Sequence, residues 1–470
     1  MPRRRTVLTS AAGTAAAVPL IASAGQAAAA PREGGPGHGG GAATTQAPGR
    51  ELRTLLKEID ADRIEATVRR LAAFGTRHTL SVQDDPKRGI GAARDWILAE
   101  MRKYAAVSGG RMTAELQSYI QEPASRIPVA TRITNVVATL RGSVDPDRVY
   151  VVAGHYDSRA TDVMDATSDA PGADDDASGV ALVMELARVM AKRRPAATIV
   201  FMAVAGEEQG LYGSGYAAEQ FKAAGVDVQG MFTNDIIGSS RADDGTKDPY
   251  TVRLFTEGVP TSETPAQANI RRSVGGENDS ATRQLARFVS DVGSNDATGM
   301  KVRVVYRRDR YLRGGDHIPF LERGYPAARF TEPAEDFAHQ HQDVRVEDGK
   351  QYGDLPEFCD FDYIARVTRV NGAVLWTLAQ APGTPREVRI VTSNLTNDTE
   401  LKWALGTEPD LAGYEVVWRE TTEAEWTHVI KVGLTTTHTV DLSKDNVFFG
   451  VRAVNRDGKR SPVAFPLPGN

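Results

Sequence analysis

The sequence predicts an α/β protein: a doubly wound, mostly parallel sheet with helices on both faces, followed by a smaller all-β sandwich. Three observations predict it. Strand-like apolar runs alternate with segments of helical periodicity between residues 51 and 381. After Pro382-Gly383-Thr384-Pro385 the texture changes to short β-rich runs. The length of 470 residues is enough for two such cores, and 41% hydrophobic with 25% charged residues is the composition of a folded globular chain.

Residues 1–30 read as an export signal. The basic run Arg3-Arg4-Arg5 precedes a weakly apolar Ala-rich stretch and the small-residue pattern Ala27-Ala28-Ala29. Arg4-Arg5-Thr6-Val7-Leu8 resembles a twin-arginine motif, so secretion by the twin-arginine route is expected. The stretch is too rich in Ala and too interrupted by Pro and Gly for a membrane span, and no later segment supplies one. Residues 31–50, with Gly34-Gly35-Pro36-Gly37 and Gly39-Gly40-Gly41, carry few apolar groups and read as a flexible linker.

Beyond the linker, Ile64, Val68 and Leu71 share one helical face, as do Trp96, Ile97 and Met101. Strands are expected at Ile133–Leu140, Val149–Ala153, Ile199–Ala205 and Met231–Ile236, with helices over Val180–Met190 and Leu211–Phe221 between them. In such a sheet the loops after Ala153, Ala205 and Asn234 lie on one rim, where functional residues collect. The runs Val388–Thr392, Glu400–Ala404, Gly413–Arg419, His428–Val432, Thr437–Leu442 and Val447–Asn455 make up the sandwich over 384–470. Trp403, the Tyr414–Trp418 run and the Phe448–Asn455 run resemble the fibronectin type III pattern, which implies an attachment or spacer module or a stabilising appendage.

Charge and cysteine content narrow the chemistry. Lys and Arg number 56 against 61 Asp and Glu, and without the three N-terminal arginines the balance is 53 against 61, which does not favour a nucleic-acid partner. Cys359 is the only cysteine, so any metal must sit on His, Asp and Glu. No G-x-S-x-G, H-E-x-x-H or Walker loop occurs.

Five motifs carry chemistry instead. Gly154-His155-Tyr156-Asp157 follows a strand, and residues two apart in extended chain face the same way, so Asp157 can hold the ring of His155 by the nitrogen that does not bind metal. Ala173-Asp174-Asp175-Asp176 opens a helix, whose N-terminus satisfies one or two carboxylates, so three together point to a cation. Gly206-Glu207-Glu208 follows a very apolar strand, and such a pair can divide into a metal ligand and a proton acceptor. Asp235 ends the next strand. Far downstream, Phe337-Ala338-His339-Gln340-His341 offers two imidazoles at spacing two, after Gly315-Asp316-His317. Mixed imidazole and carboxylate without thiolate suits zinc, with cobalt and manganese as alternatives.

The order His-x-Asp, Asp-Asp, Glu-Glu, Asp, His resembles the co-catalytic di-zinc aminopeptidases of metallopeptidase family twenty-eight, over about residues 51–380. That family includes secreted bacterial leucyl aminopeptidases and, more distantly, glutamate carboxypeptidases and glutaminyl cyclases. The resemblance implies two Zn²⁺ per chain: His155 and Asp235 on one, Glu208 and His341 on the other, Asp175 bridging. It makes Glu207 the general base for a water shared by the ions, and Asp157 the group that orients His155. Peptides or proteins with a free N-terminus are the implied substrates. His341 is preferred to His339 by analogy with the family's last ligand, and Gly315-Asp316-His317 is read as structural support. Two departures stand out: Asp174 where the family often has Asn, and Gln340 where some members place a substrate-binding Tyr. A carboxypeptidase or dipeptidase on the same scaffold is the near alternative. A non-catalytic, metal-stabilised protein that binds a surface or polymer through its sandwich is the alternative from another class.

Overall fold

The computed structural model describes residues 40–469, so the export signal expected over 1–30 and residues 31–39 of the expected linker lie outside the described residues. Of the expected linker, residues 40–50 are described, and they are tied down at Gly41, Ala42 and Gln46. Strand β1 (Gly41–Ala42) pairs antiparallel with Val429 and His428, and Gln46 donates its N–H to Asp291 Oδ1 at 2.9 Å. An open sheet edge offers backbone donors and acceptors to any adjacent chain, which a composition argument overlooks.

Helices α1 (Arg50–Lys57), α2 (Ala61–Ala72) and α3 (Gly89–Ala106) follow. Ile64, Val68 and Leu71 are fully buried on one face of α2, as the spacing predicts, and Asp60 caps its start by accepting from the Asp62 N–H. The sheet then begins with β2 (Met112–Gln121), β3 (Thr131–Leu140) and β4 (Asp145–His155). Helix α4 (Gly179–Met190), β5 (Ala197–Val204), the one-turn α5 (Glu207–Gly210), α6 (Tyr212–Ala223) and β6 (Asp227–Asn234) come next. The remainder is β7 (Thr251–Phe255), α7 (Pro265–Ser273), α8 (Ala281–Gly293), β8 (Lys301–Val305), α9 (Ile318–Glu322), β9 (Ala327–Thr331) and α10 (Phe361–Gln380), with a small hairpin at residues 345–352 before α10.

The eight strands lie in the order β2-β3-β5-β4-β6-β9-β7-β8. Pairing is parallel through β5-β4-β6-β9 and between β7 and β8, and antiparallel at β2-β3, β3-β5 and β9-β7. The sheet is therefore mixed, with its parallel block at the centre. Successive side chains of the central strands alternate between two cores. Tyr150, Val152, Ile199, Phe201 and Ala203 face α2, α3, α4, α8 and α10, whereas Val151, Ala153, Val200, Met202 and Val204 face α6 and α9. Because β4, β5 and β6 run in parallel, their carboxyl ends deliver His155, Glu207-Glu208 and Asp235 to one rim. No helix among the described residues is long and apolar enough to cross a membrane.

The C-terminal residues form one four-stranded sheet and three strands of a second, which β1 completes, packed around Leu401, Trp403, Tyr414, Val416, Trp418, Phe449 and Val451. They are not a detached spacer. Asp279, completely buried, receives Arg287 at 3.0 Å from its own side and Arg419 at 2.7 Å from the sandwich. Trp426 Nε1 donates to Gln284 Oε1 at 2.9 Å across the same seam.

Candidate metal centre

His155 sits at the end of β4 with 1% exposure. Its Nδ1 lies 3.1 Å from the Asp157 carbonyl, which can only accept, so Nδ1 carries the proton. Nε2 then presents a lone pair 3.0 Å from Asp175 Oδ1, and no hydrogen bond satisfies it. A buried imidazole lone pair aimed at a carboxylate is unfavourable unless a cation stands between them or the ring takes a second proton. Burial opposes that proton, but Asp157, Asp175 and Asp235 outweigh it and hold the His155 pKa well above the ordinary value.

Asp157 works differently from the expectation in one respect. It orients His155 through its backbone carbonyl, while its carboxylate, 3.5 Å from Nδ1, is spent on three other donors. Thr79 Oγ1 donates at 2.9 Å, and the N–H groups of Glu207 and Glu208 at 3.3 and 3.2 Å. One buried carboxylate thus locks the β4 rim to the Glu-Glu turn, which Gly206 enters at φ 75°, a conformation that favours glycine.

The three adjacent aspartates diverge. Asp174 accepts the Gly238 N–H at 2.5 Å and hydrogen-bonds Glu332, an arrangement that needs a proton between the two carboxyls; burial pushes both well above the usual range. Asp176 accepts from the N–H of His155 and of Gly179, both at 2.9 Å. Only Asp175 faces the rim. Its two oxygens lie 3.0 Å from His155 Nε2 and 2.8 Å from His341 Nε2, so one carboxylate spans both imidazoles.

His341 also lies 3.1 Å from Glu208 Oε1, and burial of the ring is outweighed by Glu208 and Asp175, which raise its pKa to about 10. Its backbone sits at φ 53°, sparsely populated for a residue with a Cβ, as is common where a side chain must be aimed. His339 turns away and stacks on Phe358 with ring centroids 3.5 Å apart. The donor atoms fall into two groups, His155-Glu207-Asp235 and Asp175-Glu208-His341, each within 4.8 Å.

The family model for peptidase family M28 matches residues 135–347. A probable zinc metalloprotease of Leptosphaeria maculans is 58% identical over 90% of this chain and 98% of its own length. Another from Pyricularia oryzae is 59% identical over 91% of this chain and 86% of its own. The chain belongs to peptidase family M28. These relatives are fungal, whereas the sequence reading pointed to secreted bacterial enzymes. The fold is shared with the aminopeptidase LapA of Legionella pneumophila, at TM-score 0.51 and 19% identity over 72% of this chain and 76% of that one.

The M28 chain supports its rim with residues that the sequence reading did not single out. Arg77, fully buried, donates to the carbonyls of Tyr156 at 2.7 Å and Gly172 at 2.8 Å, joining the His155 segment to the Asp175 loop. Asp354 accepts the N–H groups of Asp174 and Asp175, both at 2.8 Å. Arg329, in the middle of buried β9, lies 2.7 Å from Asp235 Oδ2 and holds that carboxyl well below its usual range against the effect of burial. A lone arginine in the run Ala327-Ala328-Arg329-Phe330-Thr331 was the available signal, since a buried charge demands a partner. His317 donates from Nε2 to the Arg308 carbonyl at 2.8 Å, in keeping with a supporting role. Gln340 lies buried between Glu335 and Arg313. Replacing Arg329 with Met is expected to cost about 3 to 5 kcal/mol in metal-free protein, because it strands a buried carboxylate. Urea unfolding with and without added zinc checks this, and zinc should recover part of the loss.

Proposed function

We propose that this M28 chain is a secreted, zinc-dependent exopeptidase that releases N-terminal residues from peptides. The observation that carries the reading is Asp175, one carboxylate set between His155 Nε2 and His341 Nε2 with Glu207 left beside it. The donor set fits two zinc ions: His155 and Asp235 for one, Glu208 and His341 for the other, Asp175 for both. Bound there, zinc would polarise the scissile carbonyl and make water acidic near neutral pH.

The chain's own groups do the rest. Glu207 takes a proton from the attacking water and returns it to the departing amine. Without metal, burial foremost, with Asp235 and Glu208 adding to it and His155 opposing, raises the Glu207 pKa well above the ordinary value; two bound cations would bring it back down toward the range in which a carboxylate works as a base. Asp157 keeps Glu207 and Glu208 in register with His155 through the backbone bonds described above. Similarity to probable zinc metalloproteases supports zinc and proteolysis, and the fold shared with the aminopeptidase LapA supports aminopeptidase action. Export rests on Arg4-Arg5 and the Ala-rich stretch that follows.

Metal analysis, with a panel of aminoacyl anilides before and after chelation, tests the reading. Two zinc per chain, and cleavage of free but not N-acetylated substrates, is the expected result. Cleavage of N-blocked peptides would turn it to the carboxypeptidase alternative. Asp175→Asn should lose both ions together, since one carboxylate serves two. A variant that retained two zinc by elemental analysis would remove Asp175 from the bridging position.

A further inference from the structure

The cleft beside the rim has a volume of about 400 Å³ and is lined by Asp175, Glu207, Glu208, Asp235 and His341, and by four arginines: Arg126, Arg159, Arg310 and Arg313. Its four carboxylates are all assigned above to metal or base. They balance two divalent cations, so the arginines set the sign of what remains, in a chain whose overall charge is −5. Two of the four are partly neutralised. Arg313 lies 2.6 Å and Arg310 3.5 Å from Glu335, and Arg310 also lies 3.2 Å from Asp309.

Among the described residues the other two meet no carboxylate. Arg126 donates from one terminal nitrogen to the Glu208 carbonyl at 2.9 Å. Arg159 donates to the carbonyls of Ala160 and Thr161 at 3.2 and 3.0 Å. Carbonyl contacts fix a guanidinium in place without cancelling its charge, and they leave most of its five N–H groups available. Arg126 moreover occupies a left-handed position, φ 61°, in a tight turn closed by reciprocal backbone bonds between Ala124 and Ile127 at 2.8 and 3.1 Å. Gly or Asn is the usual occupant of such a site, and the turn sets the arginine at the mouth of the cleft.

We propose that the M28 cleft selects substrates bearing a carboxylate, which Arg126 and Arg159 hold beside the metal rim. The proposal rests on the peptidase reading and narrows its substrate class. A guanidinium fork matches a carboxylate in two parallel hydrogen bonds. The carboxylate has two sources: the side chain of an N-terminal Asp or Glu, or the C-terminus of a dipeptide, which lies within one residue of the scissile bond.

Kinetics of the zinc-loaded chain separate the sources. If the side chain is read, glutamyl anilide exceeds glutaminyl and leucyl anilide in kcat/KM. If the terminus is read, Ala-Leu exceeds its C-terminal amide. In either case Arg126→Gln and Arg159→Gln should lower that preference about tenfold to a hundredfold, mainly through KM, the usual worth of a hydrogen bond to a charged group. Circular dichroism and zinc content confirm that the variants fold and load. A readout independent of turnover is glutarate, titrated calorimetrically into the zinc-loaded chain, which should bind at least about tenfold more weakly to each variant. Equal rates on charged and neutral substrates of both kinds would overturn the proposal, as would glutarate binding indifferent to both arginines. Absence of zinc, or of any peptide cleavage with arginine-dependent glutarate binding intact, would instead overturn the peptidase reading and leave the carboxylate site standing.

Discussion

Glu207→Gln should cut turnover about 10²- to 10⁴-fold while leaving the metal in place. The substitution keeps the side chain's volume and polarity, and the backbone N–H that Asp157 accepts at 3.3 Å is untouched. What disappears is the proton acceptor, and a positioned general base contributes about 10² to 10⁴ in rate. Zinc content measured on the purified variant should equal that of the parent, with kcat reduced by that factor and KM little changed. Glu208→Gln is the matched control. Glu208 lies 3.1 Å from His341 and in the same donor group as Asp175, so its loss of activity should accompany loss of metal and recover partly at high zinc concentration. The donor groups make this comparison sharp, because Glu207 itself falls with His155 and Asp235. Metal lost from the Glu207 variant alone would exchange the roles of the two neighbours.

The reason this pair can be assigned at all lies in what a sequence makes visible. His155, the Glu-Glu turn and Asp235 each follow an apolar strand, and parallel strands bring their carboxyl ends to one rim whatever the loops do. That part of the site was legible. The three aspartates were legible only in part. The repulsion argument treated Asp174, Asp175 and Asp176 as facing one place, yet two of them are satisfied by Gly238, Glu332, His155 and Gly179, and only one reaches the rim. Arg329 and Asp354 lay beyond local reasoning because their partners are far along the chain: 94 residues separate Arg329 from Asp235, and 179 separate Asp354 from Asp175. The strands β7, β8 and β9 were missed for a related reason. They are five residues each, too short for periodicity to separate from the loops around them.

The sandwich is where the sequence reading and the structure part most clearly, and Asp279 measures by how much. Read as an appendage without catalytic residues, residues 384–470 could be deleted with hydrolysis of a small substrate nearly intact. In the structure that deletion would remove Arg419 from Asp279, the Ala424 carbonyl from Arg287, and the strand on which β1 is paired. Asp279→Ala isolates the electrostatic part of this seam. It would leave Arg287 and Arg419 buried together with neither Asp279 oxygen to offset their charge, and would also strand the Gln284 amide, which donates to Oδ1 at 2.9 Å. Breaking one buried pair costs about 3 to 5 kcal/mol, and here two cations lose one anion, against a total stability of roughly 5 to 15 kcal/mol for a domain. The variant is expected to lose about 5 kcal/mol or more in urea unfolding, and the 384–470 deletion to fold poorly or not at all. Replacing the triad at once, Asp279→Leu with Arg287→Met and Arg419→Met, should restore most of the loss, because well-packed apolar groups avoid the desolvation that buried charges incur. A midpoint shift equivalent to less than about 1 kcal/mol in Asp279→Ala would show that the seam is wet and the ion pairs expendable, and the independent-module reading would return.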